Sequence, residues 1–138
     1  MARTFIDTNV LVYCIDKREA AKRETAKEVV AGLLRSSEAI ISTQIVQETY
    51  VSAVKKVRID ATQAKRWIGY LERFELILVD FELVNSAIDY SILHMLSFWD
   101  ALIVASAERS SCDVLLTEDL SHGQMIRGVR VVNPFVSG

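Results

Sequence analysis

Acidic residues set among apolar neighbours are the first residues in this chain that could perform chemistry. Asp7 stands between two apolar runs, Phe5-Ile6 and Val10 to Tyr13. Burying a carboxylate without a partner is costly, so such a residue usually faces a metal ion, a hydrogen-bond donor or a cleft. The alternative is that Asp7 only caps the helix that follows it.

More acids lie on predicted helices or just after a predicted strand, namely Glu48, Asp100, Glu118 and Asp119. In an open parallel sheet the ligand crevice lies beyond the carboxyl ends of the strands, so these side chains can converge with Asp7 at one edge. A carboxylate cluster suits a hard cation that keeps several waters, Mg²⁺ or Mn²⁺ rather than Zn²⁺. Glu118 and Asp119 can instead be ordinary turn residues.

The two helical acids also have structural interpretations. Asp100 can be the acid of a capping box that begins at Ser97. Glu48 lies opposite the apolar stripe through Val46 and Tyr50 on a helical wheel, which indicates a solvated position. The hypothesis of a metal site therefore depends on where the acids lie together, and no single acid establishes it.

The elements that must position these acids alternate between strands and helices. Apolar β-prone runs predict strands over residues 3–6, 39–41, 76–79, 113–117 and 129–132. Helical spacing and capping patterns predict helices over 9–15, 18–35, 43–56, 60–74 and 82–94, and a last, apolar helix from about Ser97 through 101–105. This alternation predicts an α/β fold with a parallel sheet covered by helices on both faces. No linker-like stretch interrupts it, so one domain over residues 1–138 is expected.

Composition and charge restrict the class of protein further. The chain has 138 residues, 51% of them hydrophobic, which is enough for a sizeable core. Its net charge of −2 argues against a simple basic nucleic-acid coat, but an acidic metal pocket would lower the net charge of a nuclease in the same way. The N-terminus lacks a signal-peptide pattern, so a cytoplasmic protein with reduced cysteines and no membrane segment is expected.

Taken together, these residues resemble a PIN-domain ribonuclease of the kind that acts as the toxin in VapBC toxin–antitoxin pairs. The resemblance covers essentially the whole chain and depends on the order of its acidic motifs, since one Asp-Thr-Asn alone would be a weak signal. The motifs that carry it are Phe5-Ile6-Asp7-Thr8-Asn9, Gln47-Glu48, Phe98-Trp99-Asp100-Ala101-Leu102, Leu116-Thr117-Glu118-Asp119 and Val132-Asn133-Pro134.

The resemblance implies a PIN-like three-layer α/β/α sandwich with a central twisted parallel sheet. It also implies hydrolysis of RNA phosphodiester bonds with Mg²⁺ or, alternatively, Mn²⁺. Asn9 and Thr117 match polar residues that orient the metal or its water, and Glu118 matches none of the catalytic acids. The residues that match the family's catalytic acids are Asp7, Glu48, Asp100 and Asp119, of which Asp7 and Asp100 match the metal ligands.

The resemblance further implies an RNA substrate, a cognate antitoxin and a homodimer. An antitoxin could place an Arg or Lys among the acids while its apolar side fills a groove between the early helices. Aromatic and aliphatic residues of the range 67–74 could form the dimer contact, although core packing explains most of them. Cations that could hold the RNA backbone are Lys17, Arg18, Lys22, Arg23, Lys55, Lys56 and Arg58.

Rival interpretations use the same residues differently. A haloacid-dehalogenase-like phosphatase needs a second acid two residues after Asp7, where this chain has Asn9. A receiver domain needs paired acids at its first strand and a late lysine, and neither occurs in that context. A catalytically inactive PIN-like module that binds RNA or serves as a scaffold would keep the fold without the reaction. A cleavage assay separates it from the nuclease.

Overall fold

One mostly parallel sheet of six strands organises the computed structural model, which describes residues 2–136. The strands are β1 (Thr4–Ile6), β2 (Ala39–Ser42), β3 (Glu75–Ile77), β4 (Val114–Leu116), β5 (Met125–Ile126) and β6 (Val129–Val132). Their order across the sheet is β3-β2-β1-β4-β6-β5, and only β5 runs antiparallel to its neighbour. Strand β1 is therefore central, with Phe5 in register with Ile40 on one side and Leu115 on the other.

Helices connect the strands, and most of them begin at a polar side chain. They are α1 (Thr8–Tyr13), α2 (Ala20–Arg35), α3 (Thr43–Lys55), α4 (Ala61–Gly69), α5 (Phe81–Leu93) and α6 (Phe98–Arg109), with a 3₁₀ turn at Tyr70–Arg73. A side-chain oxygen at the N-cap accepts a backbone N–H in every one of these α-helices except α2, which satisfies one of the exposed donors of the first turn. The capping residues are Asp7, Ser42, Asp60, Asp80 and Ser97.

The order of the strands places the helices in two layers. From β1 the chain steps outward to β2 and β3 through α1 to α4, and it then returns past β1 to β4 through α5 and α6. Because parallel crossovers are right-handed, reversing the direction of travel puts the two sets of helices on opposite faces. The contacts agree, since α1 packs on α2 and α3, whereas α5 packs along α6. The predicted α/β fold with a central parallel sheet is confirmed.

The core lies where these layers meet the central strands. Phe5 and Ile6 of β1 and Ile40 and Ile41 of β2 are fully buried. All residues of α6 from 101 to 107 are buried, as its apolar sequence predicted. No single helix within residues 2–136 has the length and hydropathy needed to cross a membrane, and α5 and α6 reach them only together, across a 118° bend.

Two local features differ from the sequence-based prediction. The helix expected over 60–74 ends at Gly69 and continues as the 3₁₀ turn. Strand β5 was not predicted, because it has only two residues and pairs with β6 through a tight turn at Arg127 and Gly128. Both turn residues have positive φ, 53° and 80°, a conformation for which Arg-Gly is a weaker signal than Asn-Gly.

Candidate active site

Asp7 follows β1 directly and is 4% exposed. Its Oδ1 accepts the N–H of Thr8 at 2.7 Å, and its Oδ2 accepts the hydroxyl of Thr117 at 2.7 Å. Burial raises the pKa of Asp7 to about 7, the two hydrogen bonds oppose that rise, and the nearby Asp119 and Glu48 add to it. A positive charge in front of Asp7 would therefore stabilise its ionised form strongly.

Thr117 directly follows the neighbouring strand, β4, and joins Asp7 to the loop that carries Asp119. The Thr117 hydroxyl accepts the N–H of Asp119 at 3.1 Å while it donates to Asp7. Asn9 Nδ2 donates to Asp119 Oδ2 at 3.0 Å. Burial first, then Asp100, raises the pKa of Asp119, and the bond from Asn9 opposes the rise. Thr117 is 1% exposed, so its role is to hold these acids from behind.

Glu48 reaches the site from α3 and is held at both carboxylate oxygens. The Thr8 hydroxyl donates to Oε1 at 2.8 Å, and Gln44 Nε2 donates to Oε2 at 3.2 Å. Gln44 Nε2 also lies 3.3 Å from the backbone oxygen of Trp99 at the start of α6. This network ties α1, α3 and α6 together around one acid.

The helical-wheel prediction of a solvated Glu48 is wrong. The buried side of α3 is formed by Gln44, Ile45, Thr49 and Ala53, whereas Tyr50 is 39% exposed. Gln44 and Thr49 are polar residues on the buried side, so the apolar stripe drawn through Tyr50 did not mark the face of α3 that packs against the protein. Glu48 consequently lies half-buried at the edge of the packed face.

Asp100 occupies the first turn of α6. The Ser97 hydroxyl accepts the Asp100 N–H at 3.1 Å, as expected from the predicted capping pattern. The Asp100 side chain makes no hydrogen bond to any other residue in the range 2–136. Capping therefore uses only the backbone of Asp100 and leaves its carboxylate available to the site.

One cleft of about 190 Å³ gathers the predicted catalytic acids, and Lys56 and Trp99 also line it. Glu118 does not reach it, because Tyr13 donates to Glu118 at 2.6 Å and Lys22 at 3.0 Å. Thr117 is not in the lining of the cleft and lies behind Asp7, to which it donates a hydrogen bond. The predicted site residues in the lining are Asp7, Asn9, Glu48, Asp100 and Asp119.

The donor set of this cleft fits a hard divalent cation. Within residues 2–136, no three Asp, Glu, His or Cys side chains are close enough to enclose an ion by themselves. A cation that keeps most of its waters does not require such a cage, and the four acids together with Asn9 offer oxygen ligands in the lining. Asn9 Oδ1 is also buried with no hydrogen-bond partner in the described part of the chain, which leaves an acceptor that a cation or its water would satisfy.

A cation-rich groove of about 660 Å³ shares no lining residue with the acidic cleft, but Val57 in its lining directly follows Lys56 of the cleft in sequence. Arg18 connects the two, since it pairs with Asp16 at 2.9 Å and donates to the backbone oxygen of Lys56 at 3.1 Å. Lys22 is instead occupied by Glu118. Sequence reasoning missed Lys27 as a lining cation, because its helical position gives no signal of what it faces. The cations that line the groove are Lys17, Arg18, Arg23, Lys27 and Arg58.

Comparison with known proteins connects this arrangement to a family and to a fold. The family model for the PIN domain matches residues 4–125. No curated protein sequence matches the chain significantly. Among solved structures, a toxin–antitoxin complex from Klebsiella pneumoniae has 23% sequence identity and a TM-score of 0.71, covering 96% of this chain and 98% of that chain.

Two further structures show the same fold. VapC20 from Mycobacterium tuberculosis, described as a sarcin–ricin loop cleaving toxin, has 20% identity and a TM-score of 0.64 over 81% of this chain and 86% of that chain. DNA-bound VapBC from Salmonella typhimurium has 20% identity and a TM-score of 0.68 over 95% of this chain and 97% of that chain. At such identities the likeness is one of fold.

Proposed function

The chain belongs to the PIN-domain family, and on that premise we propose that it is a metal-dependent ribonuclease that serves as the toxin of a type II toxin–antitoxin pair. The observation that carries the proposal is the convergence of acids from distant parts of the chain on one cleft. Like charges repel, so this assembly is destabilising unless a cation neutralises it. The fold-level likeness to toxin structures from three bacteria supports the same conclusion.

Asp7 and Asp100 would hold the divalent cation, Mg²⁺ or Mn²⁺, and Asn9 Oδ1 would offer a further oxygen. When bound, such a cation supplies a water of lowered pKa and positive charge for the phosphoryl oxygens. Thr117 and Thr8 fix the Asp7 carboxylate in one orientation, so little reorganisation is needed.

Glu48 and Asp119 would act on the water and its proton. Glu48 is fixed by Thr8 and Gln44, which suits a role in orienting water. Asp119 is more exposed, and burial together with Asp100 raises its pKa, which suits a group that accepts a proton. Both roles are parts of the proposal.

RNA would reach the acids along the cation-rich groove. Phosphate oxygens bind Lys and Arg by charge, and the affinity depends on salt. Arg23, Lys27 and Arg58 form no ion pair within the part of the chain that the structure describes. Lys56 lies in the lining of the acidic cleft itself and would meet the phosphate nearest the reaction. A local basic surface is compatible with the net charge of −2.

A cognate antitoxin is the proposed partner, and an apolar groove between α2 and α4 is its proposed anchor. This groove has a volume of about 200 Å³, and Leu11, Val30 and Leu34 line one part of it while Trp67 and Phe74 line another. An apolar helix face would fill it. An Arg or Lys of the same partner could then enter the acidic cleft and neutralise it in place of a cation.

A homodimer remains a proposal, but its predicted contact needs revision. Leu71 and Phe74 of the range 67–74 are buried in the core, and Trp67 packs against it. A different apolar surface is exposed, on α5 and the loop after it. Its residues are Phe81, Ile88, Ile92, Leu93 and Met95, and a patch of this kind marks an interaction surface. Light scattering of wild type and Ile92→Glu tests it, and a wild-type monomer at micromolar concentration would contradict it.

Cleavage of total RNA by the purified protein tests the proposed function. We expect cleavage with Mg²⁺ or Mn²⁺, none with a chelator, and loss of at least about a hundredfold in Asp7→Asn. Asp113→Asn is the matched control, since Asp113 is exposed and lies at the other end of β4. A folded Asp7→Asn protein that cuts RNA as wild type would overturn the proposal, and a wild type that binds RNA without cutting it would favour the inactive module.

A further inference from the structure

A second groove, of about 460 Å³, opens from the acidic cleft on the side of α3 and α6. It shares Thr8, Glu48, Ser52 and Trp99 with the cleft, so a molecule whose reacting bond lies among the acids would extend directly into it. Its volume is in the range of ordinary ligand sites. The groove is therefore a continuation of the proposed active site.

The chemistry of this groove differs from that of the cation-rich groove. Among the described residues, 2–136, no cation lines it, and its one acid, Glu48, already accepts hydrogen bonds from Thr8 and Gln44. Apart from Glu48, the lining consists of neutral polar side chains together with Val51 and Trp99. A phosphate would find no counter-charge here, whereas a flat, neutral group with polar edges would find matching partners.

Trp99 has the geometry of a stacking platform. Trp99 is 60% exposed, whereas tryptophan is highly buried on average. Its ring packs edge-on against Phe98, with centroids 5.0 Å apart and planes at 76°. That contact supports the ring from within the protein and leaves much of the indole accessible. Trp99 directly precedes Asp100 in sequence, so the ring and the acid share the first turn of α6.

Polar side chains on α3 could read the edge of a stacked group. Gln47 is exposed and Ser52 is half-buried in the lining. Gln44 is 3% exposed, and its Oε1 is buried without a hydrogen-bond partner among residues 2–136. A buried acceptor of this kind is destabilising until a donor reaches it. An amino or imino N–H at the edge of a base is a donor of that type.

We propose that this groove holds a nucleobase adjacent to the scissile phosphodiester, with Trp99 as the stacking surface and Gln44, Gln47 and Ser52 as the polar edge. The inference rests on the proposed ribonuclease function and deepens it, because it makes the substrate single-stranded RNA with an unpaired base beside the cut. Base–aromatic stacking tolerates every base, while the polar edge would set the preference among them.

Cleavage kinetics on a short single-stranded RNA test the inference. We expect Trp99→Ala to lower kcat/KM about ten- to a hundredfold and Trp99→Phe to stay within about threefold of wild type, since a flat ring remains. Tyr50→Ala is the matched control, because Tyr50 is an exposed aromatic residue of α3 outside the linings of both the cleft and this groove. Gln47→Ala should change the base preference beside the cut more than the overall rate.

A binding assay separates this inference from the reaction. The chain has two tryptophans, so Trp67→Phe leaves Trp99 as the only indole. With Ca²⁺ in place of Mg²⁺, we expect single-stranded RNA to quench Trp99 fluorescence and an abasic strand of the same length to leave it unchanged. If RNA quenches Trp99 fluorescence but is never cut, the ribonuclease proposal is contradicted, whereas the proposed base-binding groove is supported.

The contrary results are equally specific. Equal kcat/KM for Trp99→Ala and wild type, with equal melting temperatures, would overturn the inference. So would fluorescence that an abasic strand quenches as much as RNA does. If Trp99→Ala left cleavage intact but reduced the mass of the protein in solution from dimer to monomer, Trp99 would belong to a protein interface and the base site would be excluded.

Discussion

The two halves of the acidic cleft are built in different ways. Asp7 and Asp119 come from the ends of adjacent central strands, and one buried hydroxyl, that of Thr117, bonds to both. Glu48 and Asp100 come from helices, and Asp100 makes no side-chain hydrogen bond within residues 2–136. The strand half is fixed before any ligand arrives, whereas in the helix half Glu48 is held at both oxygens and only Asp100 retains freedom to adjust.

The two halves also differ in how much their charges destabilise the folded protein. Asp7 is almost completely removed from water, and burial raises its pKa to about 7. Asp100 is partly exposed and helped by its place at a helix N-terminus. The buried Asp7 of the strand half therefore destabilises the folded protein, although its position is rigid. Asp100 of the helix half does not destabilise it. Substitutions in the two halves should have opposite effects on stability.

The largest expected difference concerns stability against pH. In the folded protein Asp7 keeps its proton up to about pH 7, whereas in the unfolded chain its pKa is near 3.8. The unfolded state therefore binds fewer protons between these values, and the free energy of unfolding falls as pH rises through them. Asp7→Asn removes this penalty, so without metal it should be more stable than wild type above pH 7, by up to about 4 kcal/mol.

Urea unfolding at pH 4.5 and pH 8, in the presence of a chelator, measures this effect. The advantage of Asp7→Asn should shrink toward zero at the lower pH. Asp100→Asn provides the contrast, because losing a charge at a helix N-terminus should lower stability by less than about 1 kcal/mol. An Asp7→Asn protein less stable than wild type at pH 8 would contradict the claim that the buried Asp7 charge destabilises the fold.

The next largest effect is expected at Thr117. Thr117→Val keeps the shape of the side chain but removes the donor to Asp7 and the acceptor for the N–H of Asp119. We expect RNA cleavage to fall about ten- to a hundredfold, as for other residues that orient metal ligands. Loss of the hydrogen bond should also raise the pKa of Asp7 further, so the acidic limb of the pH–rate profile should move to higher pH.

Thr25→Val is a suitable control for Thr117→Val. Thr25 lies on α2, and within residues 2–136 its hydroxyl bonds only to the backbone oxygen of Ala21. Equal activity of the two variants would mean that Asp7 needs no support from β4.

The sequence predicted the strand half better than the helix half, and the reason is physical. An acid that directly follows a buried strand has its direction determined by the sheet, so Asp7 and Asp119 could be placed from pattern alone. The direction of Glu48 depends on the rotation of α3, and buried polar residues such as Thr49 disguise that rotation. The short strand β5 escaped prediction because two residues carry too little pattern.

A smaller effect is expected when the helix half alone is loosened. Thr8→Val removes the hydroxyl that donates to Glu48 Oε1, but it leaves the backbone N–H that bonds to Asp7. Because Gln44 still holds the other oxygen of Glu48, we expect cleavage to fall only about three- to tenfold. Steady-state kinetics on the same RNA measure it. A loss as large as that of Thr117→Val would show that both halves need equal rigidity.

The smallest effect is expected beyond the cleft, where Lys22 bridges Tyr13 and Glu118. This pair is partly exposed, so Lys22→Met should lower the free energy of unfolding by less than about 1 kcal/mol. Cleavage should stay within about twofold, because Glu118 does not line the cleft. Thermal unfolding and the RNA assay measure the two quantities. A large loss of activity would contradict this and would indicate that Glu118 takes part in the reaction.

The most direct test of the central claim is titration calorimetry with Mn²⁺ at pH 8. If a divalent cation joins the two halves, wild type and Asp113→Asn should bind Mn²⁺ equally, and Asp7→Asn and Asp100→Asn should each bind at least about tenfold more weakly. If either Asp7→Asn or Asp100→Asn binds Mn²⁺ as tightly as wild type, the two carboxylates do not share a cation and the account is contradicted.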